Sequence, residues 1–188
     1  MKKITLSFLG LCLTLAISCE SAPQKKKNTE KNQPAAVKEK TLRISLNAKS
    51  GSETNGEVTF IEKEGKVTMM AHINGLVPGM HAIHMHEKAD CSSDDGKSSG
   101  GHWNPTFENH GAWGNESGYH RGDIGNFSAD DSGHGMITFA TDLWCLGCED
   151  ITKNILGKAI IVHQGEDDLV SQPSGAAGAR VSCAGIIQ

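Results

Sequence analysis

The pattern that most limits the fold of this chain is a two-residue alternation of apolar and polar side chains. It is clearest in TLRISLNA (41–48). Further candidate strands lie in GEVTFIEKEGKVTMMAHINGL (56–76), GMITFATDL (135–143) and the more continuously apolar GKAIIVH (157–163). Such segments predict β-strands, and the second predicts a hairpin that turns at Glu64-Gly65. Helical periodicity is nearly absent, and only 149–156 could form one short turn. Short strands at regular spacing favour an all-β sandwich or barrel.

Two long stretches separate these strands without a strand pattern of their own. They run from Glu87 to Gly135 and from Gln164 to Arg180. Long loops inside a compact domain are usually functional. We therefore expect the functional residues to lie mainly in or beside these two loops.

The first 18 residues have the pattern of an export signal rather than of a folded element. Lys2 and Lys3 precede a largely apolar run from Ile4 to Ile17, which is short for a membrane span and ends at Ser18-Cys19. This pattern resembles a bacterial lipoprotein signal, in which Cys19 becomes the lipidated first residue. The alternative is a plain secretory signal. Both predict an exported protein, and the first predicts a membrane-anchored lipoprotein that faces the periplasm or the cell exterior.

Composition divides the remaining chain into a tether and one domain. Residues 19–40 are rich in Lys, Asn, Gln, Pro and Ala and have almost no large apolar residues, which predicts a flexible tether. Residues 41–188 form the predicted domain. Its 10 Lys and Arg against 19 Asp and Glu give a formal net charge of −9. Such an acidic domain is a poor binder of nucleic acid, and an anionic substrate would need local steering.

Four cysteines fall within the domain: Cys91, Cys145, Cys148 and Cys183. An even number in an exported protein favours disulfide bonds. The C-x-x-C of WCLGC can be a disulfide, a metal clip or a redox centre. We favour a local Cys145–Cys148 disulfide, with a metal-loading role as the alternative.

The segment HAIHMH contains three histidines that strand geometry separates. Side chains of a strand alternate between its two faces. His84 and His86 therefore share one face, where they could converge on one ion, while Ile83 and Met85 point towards the core. His81 has the parity of the core residues and is predicted to be structural, with a hydrogen bond to a backbone group.

Further candidate ligands lie at a distance along the chain. They are His102 in GGHWNP, His110 in ENHGAWG, His120 and Asp123 in GYHRGDIGN, and His163 at the end of an apolar strand. Neutral imidazoles suit copper and zinc, and an aspartate adds an anionic oxygen ligand. Six histidines and one aspartate are enough for two metal sites.

With these motifs in this order, residues 42–188 strongly resemble the copper/zinc superoxide dismutase family. HAIHMHE resembles its first copper motif, and GHWNP, HGAWG and HRGDIGN resemble its bridging and zinc segments. VHQGEDDL and GAAGARVSCAGII resemble its last copper motif and its C-terminal signature. The resemblance implies a Greek-key β-sandwich, or flattened eight-stranded barrel, with long metal-binding and electrostatic loops.

The resemblance also implies a site, with one copper and one zinc ion per chain. Copper would be held by His84, His86, His102 and His163, and zinc by His102, His110, His120 and Asp123. His102 would then bridge the two ions as an imidazolate. Asp167 would hydrogen-bond one ligand of each metal, and Arg180 would be the active-site arginine. Cys91 and Cys183 would form the structural disulfide.

The activity implied is dismutation of superoxide to oxygen and hydrogen peroxide, with Arg180 drawing the anion towards the copper and His102 carrying a proton. The loop from Asp168 to Arg180 is shorter than in eukaryotic members and lacks their charged residues. A copper-buffering lipoprotein on the same scaffold is the alternative, and a copper-only variant is disfavoured by His110, His120 and Asp123. The implied partners are superoxide and, through the lipid anchor, a membrane. A homodimer is compatible with the sequence but is not fixed by it.

Overall fold

The computed structural model describes residues 38–188, so the predicted signal peptide, Cys19 and nearly all of the predicted tether lie outside the described residues. The eight strands are β1 (Lys40–Ala48), β2 (Asn55–Lys63), β3 (Lys66–Asn74), β4 (Gly79–His86), β5 (Gly125–Ala129), β6 (Gly135–Thr141), β7 (Ala159–His163) and β8 (Arg180–Gly185). β1 begins at Lys40, the last residue of the predicted tether. No helix within 38–188 is long and apolar enough to cross a membrane.

The strands close into one antiparallel barrel in the order β1-β2-β3-β6-β5-β4-β7-β8. β8 returns to β1 through the pairs Asn47↔Cys183 and Ala48↔Ser182, which completes the ring. The predicted all-β, eight-stranded architecture is therefore confirmed. Neighbours that are distant in sequence, such as β3 and β6 or β4 and β7, reflect long connections that carry the functional loops.

The predicted hairpin between β2 and β3 is also confirmed. Lys63 pairs with Lys66, so the turn consists of Glu64 and Gly65. Both residues have positive φ, 52° and 76°. Two such residues form the type I′ turn that matches the right-handed twist of paired strands.

The sequence did not reveal β5, because the stretch from Glu87 to Gly135 contains no strand pattern that we recognised. β5 has the sequence GNFSA, in which only Phe127 is a strong strand former. Its partners stabilise it: His81 and Phe127 are opposite each other in the β4–β5 pairing. Long-range pairing rather than local propensity therefore fixes this strand.

The barrel interior is filled by alternate residues of the strands. Ile83 and Met85 of β4 are fully buried there, as predicted, with Phe60, Met69 and Ile160. Pairing around the barrel is uneven. β3 and β6 share seven register pairs, whereas β5 and β6 share one, Ala129↔Gly135. The β5–β6 seam is thus the thinnest part of the ring.

Two disulfide bonds join the four cysteines of the domain. Cys91–Cys183 spans 92 residues and ties the loop after β4 to β8, with a Cα–Cα distance of 5.8 Å. Cys145–Cys148 closes a local loop between β6 and β7. In that loop Leu146 donates its N–H to Glu62, and its carbonyl accepts a 2.7 Å hydrogen bond from Lys40 Nζ.

Candidate metal centre

Four histidine side chains converge at one side of the barrel. His84 and His86 are on β4, and His163 ends β7, which pairs with β4. His102 joins them through an isolated β-bridge to His86. All four are buried, and one donor nitrogen of each lies within 4.8 Å of those of the others. We call this group, which consists of His84, His86, His102 and His163, the strand cluster.

Each imidazole of the strand cluster has one ring nitrogen engaged and one free. His84 Nε2 lies 2.8 Å from an Asp167 oxygen, and His86 Nδ1 lies 2.9 Å from the Gly100 carbonyl oxygen. His163 Nδ1 lies 3.3 Å from the Gly178 carbonyl oxygen. The opposite nitrogens, His84 Nδ1 and Nε2 of His86, His102 and His163, are buried without a hydrogen-bond partner.

Unpartnered buried nitrogens are costly, because burial removes their hydration. A metal ion would satisfy all four at once, since it coordinates the lone pair of a neutral imidazole. An all-imidazole set suits copper or zinc. The four unpartnered nitrogens therefore indicate a metal site, and they do so independently of the motif resemblance.

A second group consists of His102, His110, His120 and Asp123, which we call the loop cluster because all four come from the irregular segment between η1 (Lys97–Ser99) and β5. Asp123 oxygens lie 2.8, 3.0 and 3.2 Å from the Nδ1 atoms of His102, His110 and His120. In a tetrahedral zinc site with bonds of about 2 Å, ligand atoms are about 3.3 Å apart. The cluster has nearly these dimensions, so it fits a zinc ion.

His102 belongs to both clusters. Its Nδ1 faces Asp123, and its Nε2 is the free nitrogen that faces the strand cluster. The ring centroids of His84 and His102 are 4.0 Å apart. One imidazole with its two nitrogens in different donor sets is the arrangement required of a bridging ligand.

Asp167 hydrogen-bonds to one histidine of each cluster. Its Oδ2 lies 2.8 Å from His84 Nε2, and its Oδ1 lies 2.9 Å from His110 Nε2. Asn126 holds the backbone of Asp167 through both atoms of its side-chain amide, at 2.8 and 2.9 Å. A carboxylate in this position orients the imidazoles and raises their basicity as ligands.

The pKa values of the histidines follow from burial and from these carboxylates. Burial lowers the pKa of His86 and of His163 well below the usual value, and it lowers the pKa of His102 to about 4. Burial acts in the same direction on His110, but hydrogen bonds to Asp123 and Asp167 outweigh it and raise the pKa of His110 to about 9. Three of the strand-cluster imidazoles are thus neutral at pH 7 and able to bind metal.

The pKa of Asp123 also departs from its ordinary value. Burial alone would raise it, but contacts with His102, His110 and His120 hold the pKa of Asp123 well below its usual range. The carboxylate is therefore ionised at every physiological pH. An anionic oxygen among three imidazoles adds the charge that a divalent cation favours.

A cavity of about 580 Å³ leads from solvent to the strand cluster, where it reaches His86, His102 and His163. Arg180 forms part of its wall, and its guanidinium donates to the Gly96 carbonyl oxygen at 2.9 Å and to Ser99 Oγ at 3.1 Å. This fixed cation beside the metal donors gives an acidic domain one place where a small anion is attracted.

His81, predicted to be structural, is buried and belongs to neither cluster. Its Nδ1 lies 2.9 Å from the His163 carbonyl oxygen and its Nε2 lies 2.7 Å from that of Val77. His72 and His134 are exposed and belong to neither cluster.

Sequence analysis missed three residues of the site. Lys97 lines the cavity mouth, with its Nζ 2.9 Å from an Asp95 oxygen. Asn126 supports Asp167, and Gln172 hydrogen-bonds the backbone of His110. Lys97 reaches the cavity from the stretch between Cys91 and His102, which contains no motif that marks the residue.

Comparisons with known proteins agree with this geometry. Residues 54–186 match the model of the family described as copper/zinc superoxide dismutase (SODC). Superoxide dismutase [Cu-Zn] 2 of Aquifex aeolicus is 35% identical over 141 residues, which are 72% of this chain and 80% of that protein. The extracellular superoxide dismutase [Cu-Zn] of Haemonchus contortus is 34% identical and is matched over 70% of this chain and 73% of its own length. The solved structure of a SOD-like protein from Bacillus subtilis has a TM-score of 0.68 and 29% identity, and covers 77% of this chain and 97% of its own.

Proposed function

This chain belongs to the copper/zinc superoxide dismutase family, and we propose that it converts two superoxide ions and two protons to oxygen and hydrogen peroxide. The observation that carries the proposal is the pair of buried four-donor clusters that share His102 and open to solvent beside Arg180. A purely structural metal site is closed and has no need of an open approach for a small anion.

We assign copper to the strand cluster and zinc to the loop cluster. The copper ligands would be His84, His86, His102 and His163, and the zinc ligands would be His102, His110, His120 and Asp123. Copper held by these residues would supply the one-electron redox chemistry that dismutation requires. Zinc is redox-inactive and accepts a carboxylate among its ligands, which suits the cluster that contains Asp123.

His102 would handle the proton. Its Nε2 faces the strand cluster, and its Nδ1 is fixed on the zinc side by Asp123. It could therefore hold a proton at Nε2 whenever that nitrogen is not bound to metal, and give it to the reduced anion, while solvent would supply the second proton of hydrogen peroxide. Proton transfer from a positioned imidazole lowers the barrier to protonation of the leaving anion.

Arg180 would bind and orient superoxide. The carbonyl oxygen of Gly96 and Ser99 Oγ hold one end of its guanidinium, so little side-chain entropy is lost when an anion binds. The permanent charge of the guanidinium also offsets the acidity of the domain close to the cavity.

A copper-buffering protein on the same scaffold is the second candidate. It is supported by the structural neighbour from Bacillus subtilis, which is described only as SOD-like. The test is metal analysis of the purified holoprotein together with a superoxide dismutation assay. One copper and one zinc per chain with rapid turnover supports dismutation. Bound copper without turnover supports the buffer, and copper without zinc supports a copper-only variant.

The two disulfide bonds and the extracellular relatives suggest that the protein is exported. We further propose that a lipid on Cys19 anchors it to a membrane. The protein expressed in a bacterial host should incorporate labelled fatty acid, and Cys19→Ser should abolish that incorporation. Absence of label from the unaltered protein would contradict the anchor.

A further inference from the structure

The turn from Ser171 to Gly175, in the long loop before β8, lies directly over the loop cluster. Gly175 N–H donates to the Ser171 carbonyl oxygen at 2.7 Å, and the Gly175 carbonyl oxygen accepts from Asp168 N–H at 2.9 Å. These two bonds close the segment into a defined shape. The turn can therefore act as one unit on the residues beneath it.

The first contact of this turn is made by Gln172 with the backbone of His110. His110 N–H donates to Gln172 Oε1 at 2.9 Å, and Gln172 Nε2 donates to the His110 carbonyl oxygen at 2.9 Å. The side-chain amide thus satisfies both main-chain groups of His110, as a neighbouring strand would. His110 has no strand to hold it, since it lies in an irregular loop.

The second contact is made by the backbone of Gly175. This residue has a φ of +66°, and a Cβ added to it would lie 1.6 Å from Asp167 Oδ1 and 2.7 Å from His110 Nε2. The turn is therefore packed against the hydrogen bond that orients His110. Any side chain at position 175 would force that carboxylate or that imidazole to move.

We propose that the Ser171–Gly175 turn positions His110 and thereby sets how tightly the loop cluster retains zinc. The inference rests on the assignment of zinc to this cluster but not on dismutation. Groups that orient a metal ligand from outside the coordination sphere commonly change metal affinity by about 10- to 100-fold. Pro173 and Ser174 of the same turn line the cavity. The turn therefore contacts the loop cluster and also forms part of the cavity wall beside the strand cluster.

The test compares Gly175→Ala with Gly114→Ala in the holoprotein. Gly114 is in the loop that carries His110 and has a φ of +83°, but a Cβ there meets nothing within 4 Å. Both variants place an alanine at a positive φ, and only the alanine at position 175 would contact the metal ligand. Competition with a chromophoric chelator measures zinc and copper affinity separately. The visible spectrum of cobalt(II) placed in the zinc site reports ligand geometry.

We expect Gly175→Ala to lose zinc affinity by about 10- to 100-fold, with a smaller change for copper and an altered cobalt spectrum. Gly114→Ala should bind both ions as the unaltered protein does. If Gly175→Ala does not fold, Gln172→Met removes the paired hydrogen bonds at nearly constant volume and should lower zinc affinity several-fold. Gln164→Met, on an exposed side chain without a side-chain hydrogen bond, is its matched control.

Unchanged zinc affinity in Gly175→Ala or in Gln172→Met would overturn the proposal. So would an equal loss of both ions, because that would show general damage to the fold. A protein that binds zinc in this turn-dependent way yet lacks dismutase activity would instead contradict the proposed function alone.

Discussion

The two clusters of the metal centre differ in the secondary structure that supports their donor residues. Three of the four donors of the strand cluster are on β4 and β7, whose pairing within the barrel fixes their backbone. All donors of the loop cluster come from irregular chain, between η1 and β5. Contacts from elsewhere hold the loop cluster: Asp167, the Cys91–Cys183 disulfide and the 171–175 turn. The barrel thus supplies a largely preformed donor set for the site to which we assign copper, while the adjoining site depends on ordering of the loops.

Removal of one ligand from each cluster gives the largest expected effects. His163→Ala should lower copper affinity by more than about 100-fold, beyond the usual effect of an outer contact, and abolish dismutation while the loop stays ordered. His120→Ala should release zinc and increase amide hydrogen exchange across residues 102–123. Metal analysis and exchange mass spectrometry measure both. Equal loosening of the loop in the two variants would break the distinction between the clusters.

The disulfides test the same distinction through stability. Cys91→Ser with Cys183→Ser opens a link across 92 residues and should cost about 2–5 kcal/mol in the free energy of unfolding, since the unfolded chain gains freedom. Cys145→Ser with Cys148→Ser opens a link of sequence separation 3 and should cost about 2 kcal/mol or less. Denaturant unfolding of the metal-free protein measures both. Greater loss from the second pair would show that the long link does not secure the loops.

In the metal-free protein, the pKa values of His102 and His110 shift in opposite directions, which distinguishes the histidine shared by both clusters from one that belongs to the loop cluster alone. The pKa of His102 falls to about 4 because of burial, so its contribution to stability is largest above the unfolded value of about 6.5 and is lost as the pH falls towards 4. The pKa of His110 rises to about 9, as Asp123 and Asp167 outweigh burial, so its contribution is present below pH 6.5 and is lost as the pH rises through 9. Imidazole NMR titration should show His110 charged at pH 8 and His102 neutral at pH 6.5. Titration of both near 6.5 would contradict this account.

The smallest effects concern the two cations of the cavity. Arg180 begins β8, and Arg180→Ala should lower kcat/KM about tenfold and weaken its salt dependence while both metals stay bound. Lys97 begins η1, is exposed and is paired with Asp95 at 2.9 Å, so Lys97→Ala should lower kcat/KM only about two- to threefold. Stopped-flow measurements over a range of ionic strength compare them. An unchanged rate for Arg180→Ala at low salt would remove its steering role.

Much of the strand cluster could be predicted from the sequence, because strand parity is a local property. Alternation alone separated His84 and His86 from His81, and the apolar run before His163 placed it at a strand end. The convergence of β4 and β7 is not local, and only the family resemblance implied it. Contacts between loops were the least accessible: nothing in the letters around Gln172 shows that its amide pairs with the backbone of His110, 62 residues away. The same limit hid β5, which depends on its partners.

The single register pair between β5 and β6 has a consequence for how the barrel opens and for association between opened molecules. A closed ring offers no free strand edge, which protects an exported protein from edge-to-edge association. A ring that opens does so where the fewest hydrogen bonds must break, and here that is the junction marked by Ala129 and Gly135. Opening there exposes two unpaired strand edges at once, on β5 and on β6, and each can pair with a strand of another molecule. Resistance of the barrel to opening therefore depends strongly on the short stretch of backbone around Ala129 and Gly135.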